Sequence, residues 1–119
     1  MILKKIVCTV KSGKEVVFSK GQEKWSAIAE CSGFIAQHGG WVKERENVAV
    51  IGALWRNHKA YDDFMENVHD SIYEQGQEGS IDEIEVRIEE CDWQDGENTL
   101  KEWLMSQHVS LEKRWSVVK

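Results

Sequence analysis

The sequence predicts an α+β domain built on an antiparallel sheet, and three stretches carry that prediction. Val48 to Trp55, VAVIGALW, is apolar on both parities, as a central strand buried on both faces has to be. It runs straight into RNHKAYDDFMENVHDSIYEQ, where Tyr61, Phe64, Met65, Val68 and Ile72 form one apolar stripe at helical spacing. In Ile81 to Glu90 the apolar Ile84, Val86 and Ile88 alternate with Glu85, Arg87 and Glu89, the pattern of a half-buried strand near an edge.

The remaining elements follow in order. Residues 2 to 10 read as a first strand, with Ile6, Cys8 and Val10 on one face and Val7 and Thr9 on the other. Ser12-Gly13 interrupts it, and from Lys14 to Glu30 the positions Val17, Phe18, Gly21, Trp25, Ile28 and Ala29 predict one helix. Gly33 is placed to stop that helix in a left-handed conformation. Phe34 to Val42 then resumes extended character, with Gly39-Gly40 predicting a bulge or a close backbone approach. The charged stretch Lys43 to Asn47 joins this strand to Val48 as a hairpin.

The order strand, helix, strand, strand, helix, strand is the ferredoxin-like split βαβ arrangement, with both helices on one face of the sheet. The second parity of the third strand is then left in water. A second sheet, most simply from an identical subunit, is expected to cover it, which predicts a homodimer. One domain spans residues 1–119, with a core over 1–92 and an extension over 93–119. In the extension Thr99 and Glu102 match a capping box, Leu100, Trp103 and Leu104 give an apolar face, and Trp115, Val117 and Val118 suggest a last short strand.

Composition narrows the function classes. A net charge of −6, from 21 acidic and 15 basic residues, argues against nucleic acid as a partner, because backbone affinity rests on clustered Lys and Arg. The opening MILKKIVCTV is too short and too broken by Lys4 and Lys5 for a signal core or a membrane span, so a cytoplasmic location and no membrane partner are expected. Cys8, Cys31 and Cys91 show no CxxC or Cys/His ligand spacing and read as reduced thiols rather than a metal site. His58 and His69 stand roughly 16 Å apart along a helix and cannot share a metal.

Gly33-Phe34 ahead of the second strand, a third strand ending in Trp55, and Lys59-Ala60-Tyr61-Asp62-Asp63-Phe64-Met65 with His69 resemble the antibiotic-biosynthesis-monooxygenase type of dimeric α+β barrel over residues 2 to 90. With Gly39-Gly40-Trp41 and Val68-His69-Asp70 included, the whole chain is similar to the small uncharacterised bacillar YdbC-like family. The wider resemblance implies a homodimer with a cavity between helices and sheet in each subunit. Its members include cofactor-independent oxygenases of polycyclic phenols, haem-degrading enzymes and stress-response proteins. Haem degraders of this type use an asparagine on the first strand, a tryptophan in the second helix and a histidine later in it. Here Cys8 and Thr9, Phe64 and the early His69 stand at those places, so haem cleavage is not expected and no cofactor is implied.

His69 is the candidate catalytic residue, a base or anion stabiliser toward a phenol. Cys8, His38, Trp41, Trp55, Phe64 and Met65 are the candidate pocket-lining residues for a small apolar or aromatic ligand. A plainer reading stands beside each. On a helical wheel His69 lies roughly 80° from Tyr61, at the edge of the apolar stripe, where a bond to a carboxylate or to the partner subunit would satisfy it. His38 would face solvent beside a bulge, and Cys8 would be an inert buried thiol. The reading reached is a homodimeric small-molecule-binding or stress-associated protein, with a cofactor-independent monooxygenase acting on a phenol or quinol as the alternative.

Overall fold

A computed structural model describes residues 1–119 and shows a six-stranded antiparallel sheet with helices on both faces. The strands are β1 (Ile2–Val10), β2 (Phe34–Val42), β3 (Val48–Trp55), β4 (Ile81–Glu90), β5 (Val109–Leu111) and β6 (Val117–Val118). The helices are α1 (Glu15–Glu23), α2 (His58–Asn67), α3 (His69–Gly76) and α4 (Gly96–Ser106). The sheet runs β4-β1-β3-β2-β5, with β6 also on β2, so the predicted ferredoxin-like core is present and the C-terminal tail extends its β2 side.

Register sorts the side chains. Across one row Lys4 pairs with Ala53 and Ala53 with Gln37, and in the next Ile2 pairs with Trp55 and Trp55 with Phe34, so all of these share a face. That face meets α1, α2 and α3 through a core of Ile2, Trp25, Ile28, Phe34, Trp55, Phe64 and Ile72. A separate cluster on the other face joins Leu3, Val48, Val50 and Leu54 to Leu100 and Leu104 of α4. The expectation that a second subunit's sheet would cover this parity is therefore corrected: the chain's own α4 covers it. Gly52 makes the fit possible, since a Cβ there would overlap Leu100 Cδ1.

Each predicted helix is divided in two. The helix expected over 14–30 is α only to Glu23 and then tightens to a 3₁₀ segment, Lys24–Glu30. Within it Trp25 Nε1 donates to Gln77 Oε1 at 2.8 Å and Lys24 Nζ donates to the Gln75 carbonyl at 2.7 Å, tying the segment to α3. Gly21 and Gly76 let α1 and α3 touch, as a Cβ on Gly21 would sit 2.6 Å from the Gly76 carbonyl oxygen. Val17, counted as apolar stripe, is exposed. The second helix breaks at Val68, whose φ of −128° and ψ of −40° leave the helical region.

Local signals elsewhere hold with exceptions. Gly33 has φ +82°, the left-handed stop foreseen for it. Asn57 caps α2 by accepting from the Ala60 N–H at 2.9 Å. The bulge in β2 lies between Phe34 and Ala36, while Gly39-Gly40 marks close approach: a Cβ on Gly40 would collide with the Ser110 carbonyl oxygen of β5. The capping box is unused, because α4 already starts at Gly96 behind Asp95.

Candidate functional site

Between the sheet and α1 to α3 lies a cavity of about 600 Å³, floored by β1, β2 and β3 and walled by the broken second helix. Cys8, Trp55, Phe64, Met65 and His69, all singled out from sequence, line it together. His38 and Trp41 do not. His38 has the opposite parity to Gln37 and points to the α4 side, where its Nδ1 lies 2.8 Å from Ser116 Oγ. Burial and the nearby Lys101 push its pKa down. Trp41 shares the cavity face but packs on Phe18 and Trp115, at centroid distances of 5.7 and 5.5 Å, beyond the end of the space.

The break at Val68 is what brings His69 in. An unbroken helix would leave the ring at the stripe's edge, whereas the restart at His69 sets it among aromatics. Its centroid is 5.3 Å from Trp25, 5.7 Å from Phe64 and 6.4 Å, stacked, from Tyr73. Nδ1 lies 3.0 Å from Asp70 Oδ1, an exposed carboxylate, and the imidazole retains 25 % exposure at the rim. With Nδ1–H donated to Asp70, Nε2 is the ring's accepting nitrogen. The carboxylate contact of the plainer reading is therefore present, made by Asp70.

Trp55 closes one end. It meets Phe34 edge-on at 5.4 Å and lies 4.9 Å from Phe64, making the joint between β3 and α2. It is fully buried, yet its Nε1–H has no acceptor. Buried Gln37 likewise leaves Nε2 without a partner. By contrast, Gln22 and Gln77 at the far wall are tied to each other at 2.7 Å and through Gln77 to Trp25.

Lys4 is the residue that the sequence reading passed over as an interruption of an apolar run. It falls on the Ile6 and Cys8 parity, the buried one, and is only 6 % exposed. A cation on a strand's buried parity was the available signal. No carboxylate pairs with it. Its Nζ reaches only Met65 Sδ at 3.7 Å and stands 4.8 Å from the Tyr61 ring centroid and 5.9 Å from that of Phe64. Burial lowers its pKa to about 8, the charge-disfavouring effect expected of a desolvated amine. Burial likewise raises Cys8 to about 12, so this thiol stays protonated and is no nucleophile.

No groups of His, Cys, Asp and Glu come together in a way that could hold a metal ion. No helix is long and apolar enough to cross a membrane.

Comparison with known proteins places the chain. Residues 2–88 match the family described as a domain of unknown function, DUF4937. The uncharacterised protein YdbC of Bacillus subtilis is 39 % identical over 122 residues, covering 100 % of this chain and 99 % of the relative. Among solved structures the fold is that of antibiotic-biosynthesis-monooxygenase-like proteins. SnoaB, a cofactor-independent oxygenase from Streptomyces nogalater, superposes with TM-score 0.59 at 16 % identity, over 76 % of this chain and 91 % of that one. MhuD, a haem degrader from Mycobacterium tuberculosis, superposes with TM-score 0.62 at 12 % identity, over 76 % and 95 %. At such identities the likeness is one of fold.

The lone Lys4 cation has a consequence for stability. The unfolded chain holds its proton to about 10.5 and the folded chain only to about 8. Folding is therefore penalised in full below pH 8, and the penalty fades as pH rises across that window. Lys4→Met is expected to stabilise the protein by about 2 to 3 kcal/mol at pH 7, with the gap to the parent closing toward pH 10. Urea titrations of both proteins at pH 7, 8.5 and 10 check it; a destabilised variant at pH 7 refutes the unpaired-cation assignment.

Proposed function

The chain belongs to the DUF4937 family, and from that premise we propose that it is a small-molecule-binding protein whose ligand, apolar or aromatic in body, occupies the space between the sheet and α1 to α3. The observation that carries this reading is the cavity itself. Its size is in the range of small-ligand sites, its walls are mainly apolar and aromatic, and a few polar side chains are left without partners inside it. A protein packed only for stability would have filled the floor above Ala53, a small side chain between Lys4 and Gln37 in a row of longer ones.

A homodimer completes this reading. Ile84, Val86 and Ile88 of β4 are 57, 44 and 36 % exposed and lie on the cavity face, with Ile84 and Val86 at the cavity's open side. The opposite parity of β4 is charged, with Lys5 bound to Glu89 and Arg87 to Glu85. A second copy seated on the apolar stripe would bury it and close the opening at once. The three thiols, none of them in a disulfide, fit a reducing compartment, in keeping with a cytoplasmic location.

The rim position of His69 favours a second reading, a monooxygenase that needs no cofactor. His69 Nε2 would take the proton of a bound phenol while Asp70 holds the imidazolium, and dioxygen as oxidant would convert the phenol to a quinone and water. Cys8, Trp55, Phe64 and Met65 are walls in either reading.

Titration with the neutral dye N-phenyl-1-naphthylamine is expected to give saturable binding at micromolar concentration, and Ala53→Leu, which fills the floor, is expected to weaken it at least about tenfold. Unchanged affinity in that variant removes the cavity from consideration. Light scattering is expected to give the mass of a dimer, and Val86→Glu that of a monomer; a monomeric parent ends the interface proposal. In the oxygenase reading, phenol-dependent oxygen uptake is expected to fall at least about a hundredfold in His69→Ala, in line with loss of a general base. Uptake equal in the two proteins, or none in the parent, rejects that reading.

A further inference from the structure

Three polar side chains inside the cavity carry donors that the protein does not satisfy: the Trp55 Nε1–H and Gln37 Nε2 meet no acceptor, and the Lys4 ammonium meets only the weak acceptor Met65 Sδ. Lys4 carries an ammonium with three donors and no acceptor; Trp55 carries a donor and nothing else; Gln37 presents its amide. All three are more than nine-tenths buried. They project from one sheet face in adjacent rows, Lys4 and Gln37 two strands apart across Ala53 and Trp55 one row on. Phe64 ties the group together, with its ring 4.9 Å from that of Trp55 and 5.9 Å from Lys4 Nζ.

Trp55 and Gln37 bear a penalty that the protein leaves uncompensated, and Lys4 one that Met65 and the Tyr61 and Phe64 rings offset only in part. A buried unmet donor costs roughly 1 to 3 kcal/mol, and a buried unpaired charge more. The carboxylates that also line the space, Asp70 and Asp82, are exposed at its rim, and the acids bound to Lys5 lie on the other face of the sheet. Facing Lys4 from the elements packed on it are Cys8 of β1, which stays a thiol, Tyr61 of α2, whose phenol burial pushes up, and the His69 and Tyr73 rings of α3. None of these supplies an anion. In a chain of net charge −6 the sheet wall of the cavity at Lys4 is thus locally positive.

We propose that the cavity takes an aromatic molecule bearing an oxygen anion, a carboxylate or phenolate, which the Lys4 ammonium, the Trp55 indole N–H and the Gln37 amide hold against the sheet while Tyr61, Phe64 and Trp25 pack on its ring. This rests on the small-molecule reading above and narrows it to one ligand class. The ring contributes apolar burial and fits walls that are aromatic on three sides. The anion supplies what the three donors lack, through charge-assisted hydrogen bonds in a site with little water. Lys4 stands on the strand beside β4, with Ile6 paired to Val86 and Cys8 to Ile84, so the charged group is held on the side of the cavity nearer the mouth and the Trp55 and Gln37 donors lie further in.

Three probes of one size test the assignment: 2-naphthoate for a carboxylate, 2-naphthol for a phenolate, whose anion absorbs to the red of the neutral form, and 2-naphthamide as the neutral control. Calorimetric titration at pH 7 is expected to show naphthoate, or naphthol bound with the anion's spectrum, at least about tenfold tighter than naphthamide. Lys4→Met is expected to reduce that preference to less than about twofold, the loss falling mainly on the anionic probe. Equal affinities in the parent, or a preference that survives Lys4→Met, overturn the anion assignment and leave the cavity reading in place. Binding of none of the three overturns both.

Discussion

Everything in this fold is arranged around the burial of β3 on both faces. All eight of its residues are buried, so neither side of the sheet can be left to water at that strand. On one side the broken helices supply the cover, with Trp55 as the anchor where strand passes into helix. On the other side a second subunit would be the obvious source, yet the chain provides its own cover in α4. Gly52 is the point where that solution is built in, because only a residue without a Cβ lets Leu100 reach the strand. The strands beyond β3 can afterwards be less apolar. Accordingly β4 is charged on the α4 side, where the helix does not reach, and apolar only on the cavity side.

The cavity is the one place where that packing is relaxed. Around it the interior obeys ordinary rules: Trp25 and Trp115 both find acceptors for their indole N–H, in Gln77 and Ser19, and the glutamines of the far wall bond each other. Trp55, Gln37 and Lys4 break those rules in adjacent rows of one sheet face and inside one space. Random imperfections would be scattered through the core and mixed in sign. A cluster whose unmet atoms are all donors, one of them a cation, is the pattern of stability given up locally for recognition.

Much of this was legible in the sequence, and the parts that were not share a cause. Two-sided apolarity at Val48 to Trp55, the alternation of β4 and the glycine at residue 33 are signals set within a few residues, and they identified strand, edge and stop. The division of both helices was not legible, because Val68 is an unremarkable helical residue in its own window. It leaves the helical region where α2, packed on β3, gives way to α3, packed on α1 and on the Lys24–Glu30 segment. The role of α4 was hidden for the same reason, as Gly52 reads as one small residue in a strand until a helix from 48 residues later lands on it. Lys4 was visible and was misread. Its parity with Ile6 and Cys8 placed it inside, but judged as part of a leader sequence it counted only as an interruption. His38 and Trp41 show the converse error: alternation along β2 turns His38 to the α4 side, and Trp41, though on the cavity face, is taken up by Phe18 and Trp115.

The placement of α4 couples two properties that the sequence presented as independent. With one sheet face sealed by the chain itself, the exposed apolar side chains that remain on the sheet are Leu111 and Val118 singly at the β2 side and the continuous β4 stripe, and that stripe borders the cavity mouth. A second subunit docked there would touch the ligand's exit before anything else. Association and ligand retention would then be linked: whatever fills the cavity also stabilises the closed pair, and dilution that separates the subunits reopens the mouth. The linkage runs through mass action and needs no change in subunit shape. It also gives a reason for β4 to keep three branched aliphatic side chains exposed on one parity while carrying four charges on the other. A strand selected only for solubility would have lost the aliphatics, and one selected only to complete the sheet would have covered them with its own tail, which instead runs to the opposite edge beside β2.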